Sequence, residues 1–139
     1  MNPKFWGPHG WIFLHAVTMN YPKNPTNHDK HVYANFFKSL QKVLPCEKCC
    51  VHYSQNIQEY PIEPALESRD SLVRWLIKIH NEVNEDLGKP LYTYDQVIEE
   101  FKSTHSIVHI KNLDRDDTLL YKVIIGALLI LLVCMYQSK

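Results

Sequence analysis

Residues 68–88 read Ser-Arg-Asp-Ser-Leu-Val-Arg-Trp-Leu-Ile-Lys-Ile-His-Asn-Glu-Val-Asn-Glu-Asp-Leu-Gly, and the spacing within this stretch decides the fold class. Leu72, Val73, Leu76, Ile77, His80, Val83 and Asn84 recur at intervals of three and four, which gathers them on one side of a helix and leaves the charged positions on the other. Gly88 is a natural C-terminal stop, because glycine accepts the left-handed conformation with which helices often end. The pattern predicts a helix from Ser68 or Asp70 to Leu87 with one buried face, and such a face requires partner helices.

The partners lie on both sides. Downstream, Thr93 is placed to cap a short helix with Gln96 reaching back, and that helix runs to about Lys102. Upstream, a helix is predicted from about Pro45 to Glu59, with Cys46 in its first turn. Another covers about Asn27 to Val43, where Val32, Phe36, Phe37, Leu40, Val43 and Leu44 keep the helical interval. The first runs from about Pro8, a residue suited to an opening turn, to Met19, and Tyr21-Pro22 ends it. Trp11 and His15 are four apart in it and share a face. No run of alternating apolar and polar residues calls for a sheet. The expected class is all-α, a compact helical bundle with a four-helix core and a short fifth helix.

The C-terminus has a different composition. Val123 to Tyr136 carries no charge, and Leu119, Leu120 and Tyr121 extend it past Lys122, giving about eighteen residues, near the minimum for a transmembrane helix. Lys122 can reach the headgroups, with Tyr121 and Tyr136 at the two interfaces. The expected organisation is a helical domain over 1–103, a polar linker over 104–118 and a transmembrane tail anchor over 119–136. The N-terminus has no charged segment followed by an apolar signal core. The domain is therefore expected to face the cytosol from a single-pass membrane anchor.

Fifteen basic and fifteen acidic side chains cancel in this chain of 139 residues, and no basic block interleaved with aromatics occurs. Nucleic-acid binding is set aside on that ground. Four cysteines, Cys46, Cys49, Cys50 and Cys134, are too few and too bunched to staple a secreted domain. In the cytosol disulfides are usually transient and catalytic, so attention falls on Pro45-Cys46-Glu47-Lys48-Cys49.

Two cysteines three positions apart can close an exchangeable disulfide, hold half of a zinc site, or simply be buried together. At a helix N-terminus the unpaired amides and the positive end of the dipole stabilise a thiolate, which makes Cys46 the more reactive of the two. Zinc has candidate ligands in Cys46, Cys49 and His52, with Cys50 as a substitute. It lacks a fourth with motif spacing, and no metal site is expected. A zinc-stabilised or cofactor-free tail-anchored interaction module is the alternative to a redox protein. Trp6, Trp11, His15, His52, His80, Asn81 and Asn84 would suit a large planar cofactor if the fold gathers them, since such a group needs stacking surfaces and hydrogen bonds at its edge.

The chain resembles the Erv/augmenter-of-liver-regeneration family of FAD-linked sulfhydryl oxidases over about residues 5–101. Three segments carry the resemblance: Gly7-x-x-x-Trp11-x-x-x-His15, the Cys46/Cys49 motif, and His80-Asn81-Glu82-Val83-Asn84-x-x-Leu87-Gly88-Lys89-Pro90. The small size, the opening Met-Asn-Pro-Lys-x-Trp-Gly and His52 are similar to the versions encoded by large cytoplasmic DNA viruses. The resemblance implies a thiol oxidase that forms disulfides in protein substrates. Cys46 exchanges with a substrate thiol, Cys49 passes electrons to FAD, and oxygen takes them to give hydrogen peroxide. It assigns Gly7, Trp11, His15, His80, Asn81, Val83, Asn84, Leu87 and Lys89 to the cofactor, with His52 and Tyr53 completing the pocket. It also implies a homodimer, and a place on host-cell and virion membranes. Family members often carry a second, shuttle cysteine pair. Cys134 stands alone in the tail here, so electrons are expected to reach Cys46 from a substrate protein or a separate shuttle protein. Cys50 has no counterpart in the family pattern and is expected to be a buried free thiol, with a regulatory disulfide as the alternative.

Overall fold

A computed structural model describes residues 1–103 together with Lys122, Ile124 and Ile125. Its elements are α1 (Pro3–Met19), α2 (Asn27–Val43), α3 (Glu47–Glu59), a short 3-10 helix (Glu63–Glu67) and α4 (Arg69–Asp86), followed by α5 over 94–103. The chain divides into two compact units, Met1–Tyr94 and Asp95–Lys139, and the four-helix core is the first. The predicted linker and, apart from the three residues named, the predicted tail anchor lie outside the described residues. Among the described residues no helix is long and apolar enough to cross a membrane.

Local chemistry accounts for most of the boundaries. At α2 Thr26 and Asp29 form a reciprocal cap: the Asp29 amide donates to the Thr26 hydroxyl at 3.2 Å and the Thr26 amide to the Asp29 carboxylate at 2.8 Å. Ser68 caps α4, its hydroxyl accepting from the Ser71 amide at 3.1 Å. After Leu87 the chain turns at Gly88, whose φ of 62° lies in the left-handed region.

Two expectations need correction. Helix α1 begins at Pro3, five residues before the predicted start, because the Asn2 side chain caps it by accepting from the Lys4 amide at 3.0 Å. Pro3 takes the opening position that Pro8 was expected to fill, and Pro8 lies inside the helix. Helix α3 begins at Glu47, so Cys46 is its N-cap instead of a residue of its first turn. The 3-10 helix was not foreseen. Its five residues are too few to show a period, and Ala65 and Leu66 are buried only because α2 and α4 pack against it.

Helix α4 is the central element, packing against α1, α3 and the 3-10 helix, while α2 packs against α3. Leu72, Leu76 and Ile79 are fully buried in it, alongside Tyr21, Phe37 and Tyr53, and each aliphatic side chain so buried contributes about 1.5–3 kcal/mol. Three polar side chains of the core find backbone acceptors. The Tyr21 hydroxyl donates to the Leu66 carbonyl at 2.9 Å, Tyr53 to Phe37 at 3.0 Å, and the Trp75 indole to Tyr60 at 2.8 Å. These bonds fix the turn after α1 and the angle at which α3 meets α2.

Candidate functional site

Helix α3 carries the sulfur chemistry at its N-terminus. Cys46 and Cys49 are joined in a disulfide with their Cα atoms 5.1 Å apart. The Cys46 sulfur accepts from the Cys49 amide at 3.3 Å, so the capping role that serine or aspartate fills elsewhere belongs here to a redox sulfur. On reduction, that amide and the dipole end stabilise the Cys46 thiolate. Both cysteines are half-buried. Cys50 is free and also half-buried, with its thiol donating to the Leu44 carbonyl at 3.4 Å.

A second cluster forms where α1 crosses α4. The Trp11 and His80 rings stack with centroids 4.0 Å apart and planes 10° from parallel. His15 Nε2 and His80 Nδ1 are 3.1 Å apart, one ring donating and the other accepting. Burial holds the His15 imidazole down to about 4. Burial also lowers His80 to about 4, with His15 and Lys89 adding to the effect. Both rings are therefore neutral at physiological pH, and the cluster is uncharged: Trp11 and His80 form a stacked pair, and the buried His15 ring lies tilted to them by 41° and 42°. Tyr92 adds a third ring, 5.3 Å from His80.

Asn81 positions that tyrosine. Its amide donates to the Tyr92 carbonyl and its oxygen accepts from the Tyr92 amide, both at 2.9 Å. It thus grips the backbone beyond Gly88 at two points. Asn84 is buried, and its carbonyl accepts from the Lys89 amide at 2.8 Å. Val83 is half-buried, whereas Leu87 and Lys89 are exposed, Leu87 at 60%. Gly7 lies one turn before Trp11, and a Cβ placed on it would meet nothing within 4 Å.

The structure thus gathers Trp11, His15 and His80 and attaches the 87–92 segment to them. It does not bring Tyr53 to that surface, because the ring is in the core with its hydroxyl bound to Phe37, and burial pushes its pKa up. His52 is exposed, with Nδ1 3.9 Å from the Asp86 carboxylate. That contact sets the disulfide end of α3 beside the C-terminal end of α4. Tyr92 is the site residue that sequence reasoning missed. Its only signal was its place two residues after Lys89-Pro90, in a segment with no period of its own.

An uncharged stack of aromatic and imidazole rings, open space at Gly7, exposed apolar surface at Leu87 and a cation at Lys89 fit a dinucleotide with a flat ring system and a diphosphate. Trp11, His15 and His80 would hold the rings and Lys89 the phosphates. None of these residues lines the groove of about 330 Å³ formed by Gln41, Lys42, Cys50, Val51, Ser54 and Gln55.

Fold and site together define a helical protein with a dithiol–disulfide pair at the start of α3 and an aromatic and imidazole cluster between α1 and α4. The chain belongs to the Erv1 / Alr family, whose pattern matches residues 8–102. It is 47% identical over 105 residues to a probable FAD-linked sulfhydryl oxidase of Acanthamoeba polyphaga mimivirus, covering 75% of this chain and 73% of that one. It is 40% identical over 82 residues to the mitochondrial FAD-linked sulfhydryl oxidase of Schizosaccharomyces pombe, covering 59% of this chain and 45% of the relative. The crystal structure of the FAD-binding domain of Erv1 from Saccharomyces cerevisiae superposes with a TM-score of 0.69 at 31% identity, over 74% of this chain and 96% of that one.

Proposed function

We propose that this chain is an FAD-dependent thiol oxidase that forms disulfides in protein substrates. The observation that carries the reading is the Cys46–Cys49 disulfide at the N-terminus of α3, in a fold shared with an FAD-binding domain. A substrate thiolate attacks the Cys46 sulfur, forming a mixed disulfide and breaking the Cys46–Cys49 bond. Cys49 leaves with the bonding pair as a thiolate. A second substrate thiolate then attacks the substrate sulfur of that bond, so the substrate departs oxidised and Cys46 departs as a thiolate. The capping position of Cys46 makes it the better leaving sulfur in the second step, because the Cys49 amide stabilises its negative charge. FAD, when bound, accepts the electron pair from the dithiol and passes it to oxygen, giving hydrogen peroxide.

The site residues have distinct parts in this reading. Trp11 and His80 stack on the rings, His15 fixes the His80 tautomer, and Asn81 positions the Tyr92 segment. Gly7, Val83, Asn84, Leu87 and Lys89 form the surroundings, with His52 on the redox helix. A homodimer is supported by Phe5, Ile12 and Phe13 on α1 and Val32 on α2, which are all exposed and would be covered by a second copy. Residues 1–103 are the catalytic domain, 104–118 a linker and 119–136 a membrane anchor that leaves the catalytic domain on the cytosolic side of a host-cell or virion membrane. The composition of the tail supports this.

The test is an absorption spectrum of the purified full chain after refolding with excess FAD. Flavin absorbance that stays with the protein through gel filtration is expected, and a colourless product would overturn the reading.

A further inference from the structure

The N-terminus of α3 holds three sulfurs, and the proposed reaction uses two. Cys50 is not an isolated thiol, since the Cys46–Cys49 disulfide occupies the same helical turn. The Cys50 amide donates to the Cys46 carbonyl at 3.0 Å, closing that turn in the regular way. A closed turn puts the Cα atoms of Cys46 and Cys50 about 6 Å apart, inside the range of about 4.4–6.8 Å that disulfides span. The two residues also share an acceptor. The Leu44 carbonyl takes the Cys46 amide at 2.8 Å and the Cys50 thiol at 3.4 Å, so the free sulfur is held beside the backbone of its potential partner.

Direction favours exchange as well. Consecutive residues of a helix are about 100° apart around its axis, so Cys49 and Cys50 flank the position of Cys46. Cys49 belongs to the side of α3 that carries His52 and faces α4, where His52 approaches Asp86 at 3.9 Å. Cys50 lies about 100° around the axis from Cys49 and opens into the groove that it lines with Gln41 and Lys42 of α2 and Ser54 of α3. A thiolate displaces sulfur from a disulfide along the sulfur–sulfur axis, entering opposite the leaving atom. Cys50 stands on the flank of Cys46 away from Cys49, so a rotation of its side chain brings its sulfur to the side of Cys46 that Cys49 does not occupy.

We propose that Cys46 pairs with Cys50 as well as with Cys49, so that α3 carries one disulfide with two registers. The Cys50 thiolate attacks the Cys46 sulfur, the Cys46–Cys50 bond forms, and the Cys46–Cys49 bond breaks. Cys49 leaves with the bonding pair and takes up from solvent the proton that Cys50 released. Nothing is oxidised or reduced overall, so no further reagent is needed. The exchange moves the free thiol from the α2 side of α3 to the α4 side. In the proposed oxidase cycle, the second register keeps Cys46 oxidised while Cys49 stands reduced, and gives Cys46 a route to expel a captured monothiol without Cys49. The disulfide chemistry itself does not depend on the flavin reading, so its test can fail independently.

Trypsin cleaves after Lys42, Lys48 and Arg69, so Cys46 falls in peptide 43–48 and Cys49 and Cys50 in peptide 49–69. The full chain, oxidised and then equilibrated at pH 8 with a trace of free thiol, is quenched in acid, alkylated, digested without reduction and fragmented. The expected result is peptide 43–48 linked to 49–69, with the alkyl tag on Cys50 in one population and on Cys49 in the other. In Cys49→Ser, oxidised with a low-molecular-weight disulfide and taken from the monomer band, the same two peptides are expected to be linked through Cys50. A tag confined to Cys50 in the wild-type chain overturns the proposal. So does a folded Cys49→Ser, with wild-type circular dichroism, in which both Cys46 and Cys50 are alkylated under conditions that fully oxidise the wild type. If Cys49→Ser does not fold, the tag distribution in the wild-type chain decides.

Discussion

Lowering the pH from 8 to 5 should destabilise this domain through His15 in particular. In the folded state burial holds that imidazole down to about 4, whereas in the unfolded chain it titrates near 6.5. Between those values the unfolded state binds more protons. The stability due to a neutral His15 is therefore complete above about pH 6.5 and is lost as pH falls towards 4. At pH 5 the unfolded imidazole is almost fully protonated and the folded one about one-tenth so. The difference amounts to about 2 kcal/mol, a large fraction of a small domain's stability. His80 shifts in the same direction and adds a smaller amount, because it is less buried and its shift depends partly on His15. The assay is urea unfolding at several pH values, read as the change in midpoint at constant slope. His15→Gln keeps a hydrogen-bonding side chain beside His80 but cannot titrate. Its stability should start lower and decline less between pH 8 and 5, by about 2 kcal/mol. Parallel pH profiles for wild type and variant would refute the reasoning, since the acid loss would then come from other groups.

Other outcomes follow from the same geometry. Cys46→Ser and Cys49→Ser should each abolish thiol-dependent oxygen uptake while Cys50→Ser retains most of it; full activity in Cys49→Ser would contradict the assigned roles. Leu76→Ala empties a fully buried position in α4 and should cost about 2–5 kcal/mol in denaturant unfolding. Gly88→Ala places a Cβ in open space but at a φ of 62°, so the cost is backbone strain alone, about 1–2 kcal/mol, and Gly88→Asn should recover part of it. Trp11→Ala removes the ring stacked on His80 and should lower the flavin retained after gel filtration, with helix content by circular dichroism unchanged.

Element type and order were legible because helical periodicity is a local property. The stretch from Leu72 to Asn84 announced α4, and the expected starts at about Asn27 and at Ser68 or Asp70 agree to within a residue with the observed Asn27 and Arg69. The start of α1 was misread because two prolines, Pro3 and Pro8, both suit an opening turn, and the choice rests on which neighbour caps. Asn2 does. The 3-10 helix carried no local signal at all, since Ala65 and Leu66 owe their burial to α2 and α4. The site divides in the same way. The cysteine pair and the His80–Pro90 segment were visible as strings, but Tyr92 entered only through its bonds to Asn81.

The sequence by itself determined that the domain is helical, that two cysteines with the spacing of an exchangeable disulfide stand at the start of α3, and which face of α4 is buried. Each of these depends on residues within a few turns of one another. Only the tertiary structure decided that His15 and His80 meet as neutral rings, that Trp11 stacks on one of them, and that Tyr53 belongs to the core. Residues 65 positions apart share an environment only after α1 has crossed α4. Desolvation, which sets their charge, is a property of the packed interior and not of the chain.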